Sequence, residues 1–209
     1  MRRSPRDAAA AVRDTGRTFA PADVRSLNGL AEMWRLAPDG TRRFVPGFDA
    51  HSGGVESQVL VLMESPGPAT IAVGAGAICS EDNPGPTAAA FRRARAESGL
   101  PRTAYLRWNI VPWELARRPT RADLVESIPA LSTLLASLPQ LAAIVTFGAT
   151  ALDGVMRYLT MTDAPTVLPV IAAPHPSPAN GRHRAEQHLR AVNALRVGWA
   201  IAQRSSRPL

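Results

Sequence analysis

The stretch Gln58-Val59-Leu60-Val61-Leu62-Met63-Glu64-Ser65-Pro66-Gly67 decides the fold. Its first six residues are almost unbroken aliphatic, the pattern of a strand buried on both faces of a parallel sheet; a strand with one wet face alternates instead. Pro66 ends the run, because proline brings no N–H to a ladder.

Outward from this strand the pattern repeats. Residues 105–108, 142–147 and 166–172 read as three further strands. Between them lie helical segments: residues 87–98 ending at Gly99, residues 120–137 with Leu124, Ile128, Leu131 and Leu135 on one stripe, a helix opened by Gly148, and residues 184–203. Upstream, residues 21–36 place Val24, Leu27, Leu30, Ala31 and Trp34 at helical spacing before Pro38-Asp39-Gly40 breaks the run. Residues 37–57 and 64–86 read as loops. Strands alternating with helices predict an α/β three-layer sandwich around a short four-stranded parallel sheet. In such sheets ligands sit beyond the carboxyl ends of the strands.

The chain has 209 residues, enough for one domain at roughly 100–200 residues each. We expect a single domain over residues 21–209 behind a disordered basic tail, residues 1–20, where five Arg face only Asp7 and Asp14. The formal charge is +7 and all 24 basic residues are arginine. Without lysine there is no lysine imine and no Walker lysine, which argues against a lyase acting through a lysine imine and against a P-loop ATPase. The single Cys79 excludes a disulfide framework, a four-cysteine zinc site and a four-cysteine iron–sulfur cluster within one chain. Neither a metal nor a cofactor is expected. No apolar run is long enough for a membrane span, and the Arg-rich start lacks the apolar stretch of a secretory signal, so the expected compartment is the cytoplasm. The charge fits either a solvated Arg-rich surface or nucleic-acid binding.

Candidate chemistry collects after the strands. His175 stands between Pro174 and Pro176, which confine the backbone and hold the ring at the sheet edge as a fixed donor. His51, His183 and His188 lack such a frame and read as surface residues. Asn109 follows Trp108 at a strand end, where an amide presents a donor beside an acceptor, as reading a pyrimidine edge requires; a turn or cap is its plainer role. Gly85 and Gly148 suit anion-binding turns that open helices, or ordinary turns. Arg92, Arg93 and Arg95 either track a nucleic-acid backbone or form a wet helix face. Ser65, Asp153 or Asp163, and His175 follow the chain order of an α/β-hydrolase triad. Met63 stands where the nucleophile elbow needs glycine, however, and Pro66 has no N–H for an oxyanion hole.

Together these motifs resemble the uracil-DNA glycosylase superfamily over residues 58–200. Met63-Glu64-Ser65-Pro66-Gly67 is similar to its first motif, Trp108-Asn109-Ile110-Val111-Pro112-Trp113 to its strand-end asparagine motif, residues 146–151 to a helix-opening segment, and His175-Pro176-Ser177-Pro178 to its histidine motif. The resemblance implies a monofunctional DNA glycosylase, acting as a monomer without cofactor, that flips uracil or another deaminated base out of DNA and hydrolyses its glycosidic bond. It implies that Asn109, with Trp108 and Gly67, binds the base, that His175 stabilises the charge growing on it, and that Gly148, Ser177, Arg182 and Arg184 meet the DNA backbone. Gly67 stands where a selective branch carries a bulky tyrosine against thymine's methyl group. Ser65 replaces a catalytic Asp or Asn, leaving Glu64, Asp82 and Asn83 to orient water, with Asp82 or Asn83 preferred. Ala179 and Asn180 replace a leucine wedge. The rival readings are a non-catalytic relative that binds damaged or abasic DNA and a serine esterase acting through Ser65.

Overall fold

The structure, a computed structural model, describes residues 22–177 and 183–205. Helix α1 (Arg25–Trp34) and β1 (Gly47–Phe48) precede β2 (Val59–Met63); α2 (Pro68–Ile71), β3 (Ile78–Cys79) and α3 (Pro86–Ser98) lead to β4 (Tyr105–Asn109). Then come α4 (Arg121–Glu126), α5 (Ile128–Ala136), β5 (Ala143–Phe147), α6 (Ala149–Met161), β6 (Val170–Ala173) and α7 (Arg184–Ser205). The main sheet has the order β4-β2-β5-β6, and every neighbouring pair is parallel. Met63 pairs with Asn109 and Phe147 with Ala173, so the strands finish nearly level along one edge.

The expected sandwich class holds, and strand parity builds it. Leu60, Leu62, Leu106, Trp108 and Ile144 point into a core made with α1, α4, α5 and α6. Val59, Val61, Met63, Tyr105, Val145 and Phe147 point the other way, onto α3 and α7. Alternate residues therefore serve opposite layers, and a strand between two dry layers needs aliphatic residues throughout. Helix α3 stops as expected at Gly99, whose φ of +78° suits the left-handed cap.

Three local readings change. The helix expected over residues 120–137 breaks at Ser127, because Pro129 lacks an N–H and its ring crowds the carbonyl four residues earlier; α4 and α5 result. The strand expected over residues 166–172 begins only at Val170. Pro169 accepts from Ile144 N–H at 2.9 Å but has nothing to donate. Within the segments read as loops, β1 and β3 pair in parallel, Gly47 with Ile78 and Phe48 with Cys79, and α2 forms one turn. Elements of two to four residues are too short for periodicity to reveal. The tail of residues 1–20 lies outside the described residues.

Gly154 of α6 supports the site from below. A Cβ there would stand 2.2 Å from Ile110 Cγ1 and 3.3 Å from Leu124 Cδ2. Gly154→Ala gains roughly 0.5–1 kcal/mol of helix propensity but loses about 1–3 kcal/mol to overpacking. Urea unfolding is expected to show net destabilisation; a more stable variant would mean that α6 slides freely over Ile110.

Candidate active site

The loops at the strand ends enclose one cleft of about 920 Å³, at the upper end of ligand-pocket size. Strand β2 delivers Glu64, Ser65 and Gly67; β4 delivers Asn109; the turn after β5 delivers Gly148; and the segment after β6 delivers His175 and Ser177. Asn83 and Gly85 lie on another wall. The amide and the imidazole, drawn from strands on opposite sides of the sheet, thus face a common space.

Asn109 is only 4% exposed and sits at the bottom of that space, where its Nδ2 donates to Cys79 Sγ at 3.9 Å. Burial pushes the Cys79 thiol up, against the opposing charge of Arg107, so the sulfur is a weak neutral acceptor rather than a thiolate.

His175 is placed by shape. Gly148 has a φ of +93°, and a Cβ on it would approach His175 Cβ to 3.3 Å and Cδ2 to 3.8 Å. The ring therefore packs against the start of α6, and glycine serves there both for backbone conformation and for clearance. His175 Nδ1 accepts the Ser177 N–H at 3.2 Å. From that bond we infer that the neutral ring carries its proton on Nε2 and has that donor to offer. Burial holds the imidazole below its usual range; the Glu64 charge works against this, and the charges of Arg107 and Arg118 add to it.

Several candidates stand elsewhere. Trp108, expected beside the base, is 1% exposed and stacks on Phe48 at 3.6 Å in the opposite core, because neighbouring strand residues face opposite layers. Asp82 does not line the cleft. It pairs with Arg102 at 2.6 Å, and that hydrogen bond holds its carboxyl below the usual range. Asn83 lines the cleft, but its Nδ2 is engaged by Thr70 Oγ1 at 3.0 Å and Ile78 O at 2.8 Å. Arg184 is exposed at the start of α7, away from the cleft lining. Arg182, Ala179 and Asn180 lie outside the described residues. Of the basic helix face, Arg95 pairs with Glu81 at 2.8 Å, and Arg92 lies 3.8 Å from Asp82.

No hydrolase triad forms. No hydrogen bond joins Ser65 to His175, the histidine Nδ1 accepts a backbone N–H instead of donating to a carboxylate, and Asp153 pairs with Arg157 at 3.1 Å. No cluster of His, Cys, Asp and Glu suited to a metal occurs among the described residues. Nor, among them, is any helix long and apolar enough to cross a membrane. Sequence reasoning missed Arg107, Arg117 and Arg118 in the cleft lining. For Arg107 a signal existed: two residues before Asn109 on a strand, it shares Asn109's face.

The cleft thus lies at the carboxyl edge of a parallel α/β/α sandwich and is lined by the buried Asn109 amide and the His175 imidazole. The family model described as the uracil DNA glycosylase superfamily matches residues 14–196, and the chain belongs to that superfamily. A DNA glycosylase-type function and a DNA substrate accompany that membership. No curated protein matches the sequence.

Proposed function

We propose that the protein is a monofunctional uracil-DNA glycosylase. The observation that carries this reading is the convergence of buried Asn109 and neutral His175 on one cleft. An enzyme that acts on a base must take it out of the stack and read its edge in a fitted pocket. Asn109 can donate to a carbonyl and accept from the ring N–H of uracil, a pairing that cytosine cannot return. His175 Nε2–H meets the charge that forms as the base leaves. Glu64, the carboxylate in the cleft lining, orients the attacking water in place of Ser65. Gly67 leaves the space beside the base open, since nothing lies within 4 Å of where its Cβ would stand; related deaminated bases are therefore secondary substrates. Gly148 and Ser177 line the cleft where the DNA backbone would pass, but their N–H groups are already given to Ala173 O at 2.8 Å and His175 Nδ1 at 3.2 Å, so a phosphate would be met by other groups.

The test is incubation with uracil-containing single- and double-stranded oligonucleotides followed by alkali. Strand breaks that appear only after alkali agree with the proposal. Binding to such DNA without release of any base favours the non-catalytic alternative and defeats the enzyme reading.

The pH profile separates two roles for the imidazole. Protonation at Nδ1 would set a donor against the Ser177 N–H and turn the ring. Because burial lowers its pKa, the second proton arrives only below the usual histidine range. The excision rate is expected to stay flat through neutrality and through the usual histidine range, and to fall only below that range. A rate that climbs as pH falls would instead make His175 a cationic general acid.

A further inference from the structure

Arg107 lies on β4 two residues before Asn109, shares its face and lines the same cleft. Among the described residues, the other half-buried arginines, Arg35, Arg43, Arg95, Arg102 and Arg157, each face a carboxylate. Arg107 faces none. Its Nη1 donates to the Ser80 carbonyl at 2.5 Å, and its Cζ stands 5.4 Å from the Phe91 ring centroid. Its Nε is buried and makes no hydrogen bond. A carbonyl and a ring face orient a guanidinium but do not neutralise it, and an uncompensated, partly desolvated charge is costly. An anion entering the cleft would offset that cost. Arg107 shares the cleft lining with His175 and with Cys79, the residue that touches Asn109. The cation therefore bears on the space between the amide and the imidazole.

We propose that Arg107 supplies the counter-charge for the base as it departs as an anion, sharing that task with His175. The inference rests on the glycosylase reading above. The glycosidic C1′–N bond breaks with its electron pair on the base; the oxygen of water forms the new bond to C1′; and the proton released from water neutralises the base through solvent. Nothing is oxidised or reduced. A fixed cation is worth most when the negative charge is fully formed, so its effect falls on the chemical step rather than on DNA binding.

Two substrates and one ligand decide the matter. In single-turnover assays Arg107→Met is expected to slow uracil release by about 10²-fold, with Arg107→Lys recovering most of the rate because it restores the charge. For 5-fluorouracil, a better leaving group, the deficit should shrink to about tenfold, since less help is needed from the protein. Equal deficits for both bases, or a defect confined to DNA affinity, would overturn the proposal in favour of a phosphate contact or a structural role. Binding of free barbiturate, a pyrimidine that is anionic at neutral pH, gives a readout without turnover. Calorimetry should show about tenfold weaker binding in Arg107→Met and unchanged binding of neutral uracil. Barbiturate affinity indifferent to the substitution overturns the Arg107 inference. Wild-type protein that releases no base while barbiturate binding still depends on Arg107 overturns the glycosylase reading instead.

Discussion

His175→Ala is expected to lower the single-turnover rate of uracil release about 10²- to 10³-fold, on the order of 3–4 kcal/mol. The magnitude follows from what the ring does at each stage. Before the bond breaks, the base is neutral and one donor at its edge competes with water for little gain. As the bond stretches, charge grows on the base beside the buried Asn109, and a donor already aimed there needs no reorganisation. The Ser177 N–H on Nδ1 and the clearance above Gly148 fix that aim. Affinity for uracil-containing DNA should therefore stay within about twofold while the chemical step collapses, the signature of an interaction made only in the transition state. Rapid-quench excision paired with equilibrium binding measures both. A variant that loses affinity and rate in equal proportion would place His175 among ground-state contacts.

Glu81→Ala destabilises the fold by about 3–5 kcal/mol, the usual cost of removing one partner from a buried pair. Glu81 is 1% exposed and accepts from Tyr105 OH at 2.8 Å and from Arg95 through two bonds of 2.8 and 3.0 Å. Arg102 Nη1 stands 3.8 Å away, while its Nη2 serves Asp49 at 2.9 Å. Without the carboxylate, the Arg95 guanidinium remains in a partly buried site without its counter-ion, and the tyrosine hydroxyl loses its acceptor. Arg95 keeps some contact with water, which places the effect toward the lower end. Glu81→Gln retains an acceptor for Tyr105 and should lose less. Urea unfolding of the three proteins gives the order; equal stability of wild type and Glu81→Ala would mean that the cluster is energetically idle. The network matters to the cleft because the same segment supplies the Ser80 carbonyl to Arg107 and carries Asn83.

The fold class was readable because both layers of the sandwich leave their mark on the strands: all of β2, β5 apart from Thr146, and most of β4 are aliphatic or aromatic. Proline was the main source of error in element bounds, as at Pro129 and Pro169, where a periodic apolar stripe continues through a residue that cannot join the hydrogen bonding. At the cleft, the meeting of Asn109 and His175 was legible because each follows a parallel strand of one sheet and so comes to the same edge. Trp108 was misassigned by adjacency: next to Asn109 in sequence, it lies across the sheet from it in space. Asp82 was misassigned because its partner Arg102 is 20 residues away in the chain and only the fold brings them together. Arg107 escaped notice because an arginine within a strand reads as a polar edge until its lack of a carboxylate can be seen.

The alternation along β4 also limits how this protein can diverge. One amino acid inserted or deleted between Tyr105 and Asn109 would exchange the two faces of the strand, burying the amide under α1 and thrusting an indole into the entrance. Length variation among descendants should accordingly collect in the connections before residue 105 and after residue 113, while the count between those points stays constant even where the amino acids themselves drift.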